Sequence, residues 1–146
     1  MSSMVEVIKD PNKRRAIVDD CITLIDSEVS DKGGLSGLAI KAAYATVKGL
    51  RPGMVGMSMD HLLDEFSAQI DPFWAECQAK GEKPRPYFLR RGNDVANALL
   101  SITDGRAAKS DHKVLKGAYG KLRPQGIKHI VDAMPRFADL VQKHAS

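Results

Sequence analysis

The chain of 146 residues has little of several features that define large classes of protein. Its two cysteines, Cys21 and Cys77, lie far apart in sequence, which excludes a disulfide framework and a cysteine-based zinc motif. Aromatic residues make up 5% of the chain, and no apolar run is long enough for a transmembrane helix. The N-terminus lacks the apolar stretch of a secretory signal. We therefore expect a reduced, cytoplasmic protein with no membrane insertion.

Signatures of catalysis and of metal binding are also absent. The sequence contains no HExxH, no EF-hand loop and no G-x-S-x-G motif. One acidic stretch has two pairs at helical i,i+4 spacing, Asp60 with Asp64 and His61 with Glu65. A metal site needs further ligands, so a solvated helix face is the better interpretation. We interpret Cys21 as a small core residue. The sequence predicts no catalytic residue, no metal and no cofactor, and hence no enzyme.

Helical periodicity, by contrast, runs through the whole chain. The composition, 43% hydrophobic and 27% charged, is ordinary for a globular protein, and alternating strand patterns are nearly absent. These properties predict an all-α fold with six or seven helices in one compact domain that covers residues 1–146. The predicted helices lie at about residues 11–32, 35–50, 55–70, 73–80, 87–106, 110–123 and from 124 onward.

Proline and glycine mark the predicted helix boundaries. An aspartate followed by proline at Asp10-Pro11 and at Asp71-Pro72 is typical of a helix start. Glycines at Gly33-Gly34 and the Pro52-Gly53 pair are expected to end helices. The main predicted loop is residues 80–86, Ser110-Asp111 is expected to cap a helix, and Pro135 is expected to kink or divide the last one.

Two passages of the sequence resemble each other. Lys41-Ala42-Ala43-Tyr44 with Val47-Lys48 recurs as Lys116-Gly117-Ala118-Tyr119 with Leu122-Arg123, and each passage continues into a proline and an amphipathic helix. This pattern predicts two pseudo-repeated three-helix units, at about residues 12–70 and 87–145, joined by residues 71–86. The alternative is that any two helix–proline–helix stretches look alike.

Several short motifs together resemble those of a known family. They are Asp31-Lys32-Gly33-Gly34-Leu35-Ser36-Gly37, Lys41-x-x-Tyr44, Lys48, Arg51-Pro52-Gly53, Pro72-Phe73-Trp74 and Thr103-Asp104. The combination is similar to a family of small bacterial all-helical proteins of unknown function, over nearly the whole chain. The resemblance implies an all-helical fold and a bacterial, cytoplasmic origin. It implies no activity and no catalytic residue.

Basic residues are concentrated in the last third of the chain. Residues 101–146 carry nine basic and four acidic side chains. Helical spacing places the candidate partner-binding residues of this region on one face: Lys109, Lys113, Lys116 and Arg123. Such a basic face fits an acidic protein or nonspecific nucleic acid. The alternative is the wet face of an amphipathic helix.

A second candidate surface combines aromatic and arginine side chains around the predicted loop. Its candidate partner-binding residues are Trp74, Tyr87, Arg90 and Arg91. Aromatic residues beside arginine are typical of binding hot spots. The same residues are also suited to fixing a linker onto a core, which is the alternative interpretation.

Two functions remain open at this point. The first is a non-enzymatic cytoplasmic protein that binds a protein or another acidic partner through the basic face and the aromatic–arginine segment. The second is a carrier or sensor of a small apolar or anionic ligand held between helices. Met54, Met57 and Met59 are candidates to line such a pocket, although methionines at helical spacing more often fill a core.

Overall fold

The computed structural model describes residues 3–50 and 53–145, and every regular element in these ranges is helical. The described elements are α1 (Met4–Val7), α2 (Pro11–Asp31), α3 (Gly34–Leu50), α4 (Met54–Ala79), α5 (Pro84–Arg90), α6 (Gly92–Lys109), α7 (Lys113–Leu122), a 3-10 turn (Arg123–Gln125), α8 (Gly126–Asp132) and α9 (Met134–Ala145). The predicted all-α fold is confirmed. The described ranges hold nine α-helices rather than six or seven, and none of them is long and apolar enough to cross a membrane.

The first predicted helix boundaries are confirmed by their capping contacts. The Asp10 carboxylate accepts hydrogen bonds from the backbone N–H groups of Asn12 at 2.9 Å and Lys13 at 3.4 Å. Gly34, where α3 begins, has a φ of 71°, and Gly53, before α4, has a φ of 76°, values that favour glycine. Pro52, the other half of the predicted break, lies outside the described residues.

The predicted helix start at Asp71-Pro72 is wrong, because α4 continues through it to Ala79. Proline inside a helix removes one hydrogen bond and crowds the preceding turn. Here the buried stripe extends past the proline, since Ile70, Trp74 and Cys77 all lie in the core. Burial of these side chains outweighs the local cost. It also makes Cys77 a buried residue of a long helix rather than of the short helix predicted over residues 73–80.

The predicted helix over residues 87–106 is divided into α5 and α6. Arg91, between them, leaves helical geometry with φ −97° and ψ 13°. A Cβ on Gly92 would lie 3.3 Å from the side chain of Met134, so the chain passes close to α9 at this point. The break lets α5 pack on α9 while α6 packs on α8. Because α5 begins at Pro84, the predicted loop shrinks to a short turn.

In the C-terminal third, the residue that caps α7 differs from the predicted one. The cap of α7 is His112, whose ring Nδ1 accepts from the N–H of Leu115 at 3.5 Å, rather than Ser110-Asp111. The Ser110 hydroxyl instead accepts from the N–H of His112 and closes the preceding turn. The predicted division at Pro135 is confirmed, since α8 ends at Asp132 and α9 starts at Met134.

The short helix α1 was not predicted, although its sequence carries a signal. The Ser3 hydroxyl accepts from the N–H of Glu6 at 3.2 Å, half of a capping box. The carboxylate of Asp71 accepts from the N–H groups of Met4 at 2.6 Å and Val5 at 3.0 Å. Helix α1 is thus attached to α4 by side-chain hydrogen bonds as well as by packing.

The helices form two groups around shared contacts. Helices α2, α3 and α4 pack on one another. In the second group, α6 packs on α7 and on α8, the 3-10 turn connects α7 to α8, and α8 continues into α9. The groups meet where α3 contacts α7, α2 contacts α9, and α4 contacts α6. The Phe88 ring packs edge-on between Tyr87 and Phe137. The largest fully buried side chains are Tyr87, Phe88, Ile17, Met134, Val95, Val141 and Cys77.

We predict that Asp71→Ala lowers the free energy of unfolding by about 1 kcal/mol, because two N–H groups at the start of α1 lose their acceptor. Urea denaturation followed by circular dichroism measures this change. Asp111→Ala is the control, since Asp111 is exposed and has no ion pair in the described part of the chain. Equal effects of the two substitutions would contradict the capping role.

Candidate functional site

An apolar cavity of about 450 Å³, partly open to solvent, lies where the two groups of helices meet and is here called the central cavity. Residues of all the helices from α2 to α9 except α5 line it. They are Leu24, Ile25, Glu28, Val29, Lys32, Ile40, Met59, Phe66, Leu99, Leu100, Thr103, Tyr119, Leu122, Arg123, Gly126, His129, Ile130, Ala133, Met134 and Phe137. A second apolar space of about 140 Å³, the inner cavity, continues it past Leu24, Met59 and Phe137.

Helix α2 shows that these spaces are not filled by the protein's own side chains. Ile17 is the one fully buried residue among its 21 positions. Leu24, Ile25 and Val29 point inward and line the central cavity, yet each is only half-buried. Protein interiors are normally packed as densely as organic crystals. Inward apolar side chains with unfilled space beside them are typical of a ligand pocket.

Two buried polar atoms adjoin these spaces without a hydrogen-bond partner in the described part of the chain. One is Oγ of Ser67, a residue 2% exposed, which lines the inner cavity. The other is Nδ1 of His129, which lines the central cavity. Buried polar atoms are nearly always hydrogen-bonded, because an unpaired one costs free energy. Both atoms lie behind the lining of these spaces rather than on their surface.

A polar pocket of about 390 Å³ adjoins the central cavity, and Glu28, Lys32 and His129 line both. Lys32 is 3.1 Å from the Asp132 carboxylate, and Arg136 pairs with Glu28. These ion pairs join α2 to α8 and α9. Burial and the nearby positive charge of Lys32 lower the pKa of His129, although Asp132 opposes the shift.

On another side, the central cavity is bounded by hydrogen-bonded polar residues. The Tyr119 hydroxyl donates to the Asp104 carboxylate and lies 2.7 Å from the Thr103 hydroxyl. Arg123 donates to both oxygens of Asp104, at 2.8 and 3.1 Å. The hydrogen bonds from Arg123 and Tyr119 lower the pKa of Asp104. This cluster ties α6 to α7 at the edge of the cavity.

The same combination of side chains occurs in the first group of helices. The Tyr44 hydroxyl donates to the Asp26 carboxylate at 2.5 Å, and Nζ of Lys48 lies 3.6 Å from the same oxygen. As in the second group, the tyrosine and the cation stand four residues apart in sequence and the aspartate lies on the preceding long helix. This cluster ties α2 to α3.

A glycine permits a close helix contact in each group. A Cβ on Gly56 in α4 would lie 3.2 Å from Cδ1 of Ile22 in α2. A Cβ on Gly126 in α8 would lie 3.2 Å from a methyl group of Leu100 in α6. In both groups the third helix therefore approaches the first closely at a glycine.

The aromatic part of the aromatic–arginine segment lies inside the protein. Trp74 is 3% exposed and Tyr87 is fully buried, so neither side chain offers a surface to a partner. The Tyr87 hydroxyl donates to Glu76 at 3.1 Å, and burial, reinforced by this hydrogen bond, raises the pKa of Tyr87 to about 12. This placement supports the alternative interpretation, in which these aromatic residues fix the turn onto the core.

The arginines of this segment form ion pairs across the turn. Arg90 donates to Glu82 at 2.7 Å, and Arg91 donates to Glu76 at 2.5 Å and to Asp94 at 3.0 Å. Exposed pairs of this kind contribute little stability individually. Their arrangement holds α5 against the end of α4.

The predicted basic face divides into paired and unpaired cations. Arg123 belongs to the cluster with Asp104. Lys109, Lys113 and Lys116 are exposed and form no ion pair with any described residue. These three lysines remain candidates for contact with an anion, whereas Arg123 has its own carboxylate.

The acidic stretch of α4 forms ion pairs. Asp60 and Asp64 both bind Arg14, at 2.8 and 3.0 Å, and Glu65 binds Arg106 at 2.9 Å. Within the described ranges no three His, Cys, Asp or Glu side chains come together as a metal site.

The thiol of Cys21 belongs to the interior. It lines the inner cavity, and burial raises the pKa of Cys21 to about 12. The thiol is therefore protonated at neutral pH, which makes it a poor nucleophile.

Sequence reasoning missed Ser67 and did not assign His129 to a cavity. Ser67 interrupts an otherwise apolar stripe that includes Leu63 and Ile70, a signal that was available. His129 lies three residues before Asp132, a spacing that does not indicate a cavity. The cavity itself has no signal in the sequence, because residues from seven helices form it.

The fold and the cavity together define the class of this protein, an all-helical protein with an apolar cavity between two groups of helices. The chain belongs to the family of unknown function DUF6918, whose model matches residues 4–145. This confirms the resemblance to a family of unknown function. No curated protein and no solved structure matches the chain.

We predict that His129 makes the stability of the protein depend on pH below about 6.5, the usual pKa of histidine. Because its pKa is lowered in the folded state, the unfolded chain takes up the proton first, and stability falls as the pH drops from about 6.5. The midpoint of urea unfolding should therefore fall less from pH 7.5 to pH 5.5 in His129→Met than in the unsubstituted protein. An equal fall in both would contradict this account.

Proposed function

We propose that the protein is a carrier or sensor of a small, predominantly apolar molecule that binds in the central cavity. The observation that carries this proposal is the cavity itself, whose volume of about 450 Å³ lies within the usual range for ligand pockets. Its lining is apolar apart from a few polar side chains near its edges. Of the two functions open from the sequence, this geometry favours the ligand carrier.

The energetics of the interior support the same proposal. Side chains that line an unfilled space lose dispersion contacts, so a void destabilises a fold in proportion to its size. A ligand in a partly open apolar cavity also removes apolar surface from water, which is favourable. Such a ligand would restore contacts to Ile25, Leu99 and Phe137.

The predicted methionine lining is only partly supported. Met59 lines both the central and the inner cavity. Met57 is 39% exposed and lines neither. The side chain of Met54 lies outside the described residues. The flexible thioether of Met59 is suited to adapting the cavity to its ligand.

We also propose that the two groups of helices are pseudo-repeated three-helix units, with the cavity between them. Three correspondences support this. The Asp26 cluster matches the Asp104 cluster, and the contact of Gly56 with α2 matches that of Gly126 with α6. If α2, α3 and α4 correspond to α6, α7 and the pair α8–α9, the contact of α2 with α9 has its counterpart in the contact of α6 with α4. Superposition of the units tests this relation.

Binding of an acidic protein or nucleic acid is the second candidate function. It is favoured by the unpaired lysines Lys109, Lys113 and Lys116. Because such binding would be electrostatic, retention on immobilised polyanion should fall steeply with salt. Retention that does not change with salt would remove this candidate. A cytoplasmic location fits either function and is proposed with them.

We predict that Leu99→Trp lowers the affinity for N-phenyl-1-naphthylamine, a neutral apolar fluorescent probe, at least about tenfold. Leu99 lines both cavities, and the indole ring would occupy the space that the probe needs. Fluorescence titration measures the affinity. Native mass spectrometry of protein purified gently from its own host would detect a bound molecule directly.

Leu89→Trp is the matched control, because Leu89 is 50% exposed and lines neither cavity. It should leave the affinity for the probe unchanged. Val29→Phe, at a half-buried position of the cavity wall, is a second filling variant in case Leu99→Trp does not fold. Saturable probe binding that survives both filling variants in folded protein would refute the proposal.

A further inference from the structure

A second pocket lies beside the central cavity. This lateral pocket has a volume of about 410 Å³ and is formed by α3, α4, α6 and α7 with the turn after α6. Its lining residues are Val47, Ser58, His61, Leu62, Thr103, Arg106, Ala107, Ser110, Leu115, Lys116, Ala118, Tyr119 and Leu122.

The lateral pocket combines an apolar floor with a cationic rim. Ala118 is buried and Leu62 and Leu115 are half-buried, so the floor presents hydrocarbon. Arg106 and Lys116 are exposed at the rim and come from two different helices. A molecule in this pocket would bury an apolar body and keep one end near positive charge.

The lining of this pocket contains basic residues but no acidic ones. Arg106 and Lys116 belong to it, and no aspartate or glutamate does. Arg106 forms an ion pair with Glu65, which lies outside the pocket, with 2.9 Å between the guanidinium nitrogen and the carboxylate oxygen. Lys116 has no carboxylate partner among the described residues. In a concave site with apolar walls, an uncompensated cation attracts anions.

The polar pocket beside Lys32 provides a comparison within the same protein. Its lining holds three acidic and three basic residues: Glu28, Asp31, Asp132, Lys32, Lys128 and Arg136. Several of these form ion pairs with one another, so their charges are compensated. The lateral pocket is therefore distinguished by its uncompensated charge.

The lateral pocket adjoins the central cavity. Thr103, Tyr119 and Leu122 line both spaces. The hydrogen bond of Tyr119 to Asp104 and its contact with Thr103 fix these shared side chains. The other residues of the lateral pocket, among them Arg106 and Lys116, do not line the central cavity.

We propose that the lateral pocket is a second binding site, specific for a small organic anion with an apolar body. The carboxylate, sulfonate or phosphate group of this molecule lies near Lys116 and Arg106. Its apolar body rests on Leu62, Leu115 and Ala118. The site does not depend on a ligand in the central cavity.

A pair of related probes tests this site. 8-Anilino-1-naphthalenesulfonate carries the apolar skeleton of N-phenyl-1-naphthylamine together with an anionic group. Lys116→Gln should lower the affinity for the anionic probe about fivefold, because a charge-assisted contact is lost, and leave that for the neutral probe unchanged. Lys113→Gln is the matched control on the same helix, since Lys113 does not line the pocket.

Filling the pocket gives an independent measurement. Ala107 lines it, and its neighbour Ala108 is exposed and does not. Ala107→Phe should lower the affinity for the anionic probe at least about tenfold, and Ala108→Phe should leave it unchanged. Circular dichroism confirms that each variant is folded.

Three results would overturn the proposal. The first is the absence of a saturable site for the anionic probe, or equal losses in Lys116→Gln and Lys113→Gln. The second is a loss of affinity for the anionic probe in Leu99→Trp but not in Ala107→Phe, which would place the probe in the central cavity. The third is an oligomer, seen by sedimentation, that Ala107→Phe but not Ala108→Phe dissociates, which would assign the pocket to a second copy of the chain. If only the proposal for the central cavity is wrong, Leu99→Trp should leave the affinity for the neutral probe unaltered.

Discussion

Apolar side chains from separate helices face a common space that they do not fill, and much of the structure is arranged around it. Ile25 comes from α2, Leu99 from α6 and Phe137 from α9, and all three line the central cavity while remaining half-buried. The fully buried Tyr87 and Phe88 of α5 lie in the packed core, where α5 contacts α9. The protein thus has a dense part that stabilises the fold and an open part suited to a ligand.

Polar contacts between the helices that line the cavity fix the positions of these helices. The Asp104 cluster ties α6 to α7, and the Asp26 cluster ties α2 to α3. The ion pairs of Lys32 and Arg136 join α2 to α8 and α9 across the boundary between the groups. Single exposed ion pairs contribute little stability. Clusters that share a carboxylate restrict geometry more strongly, which suits a cavity wall that hydrophobic packing alone does not define.

Local signals in the sequence predicted helices well where they matched the burial pattern, and failed where packing overrode them. Asp10 caps α2 as expected, because nothing in the tertiary structure competes with that cap. Pro72 does not start a helix, because the buried stripe of Ile70 and Trp74 continues through it. The same limit applies to the candidate site residues. Trp74 resembled a surface anchor in the sequence, but its burial follows from neighbours distant along the chain.

The sequence by itself determined the all-helical class, the alternation of helices with proline and glycine breaks, and the excess of basic residues in the last third. These properties follow from periodicity and composition, which are local. Only the tertiary structure decided that, among the residues it describes, Ser67 and His129 have unpartnered atoms beside apolar cavities and Lys116 has no carboxylate partner while Arg123 has one. A cavity is space left between helices after they pack. Its existence depends on distances between residues that no local pattern specifies.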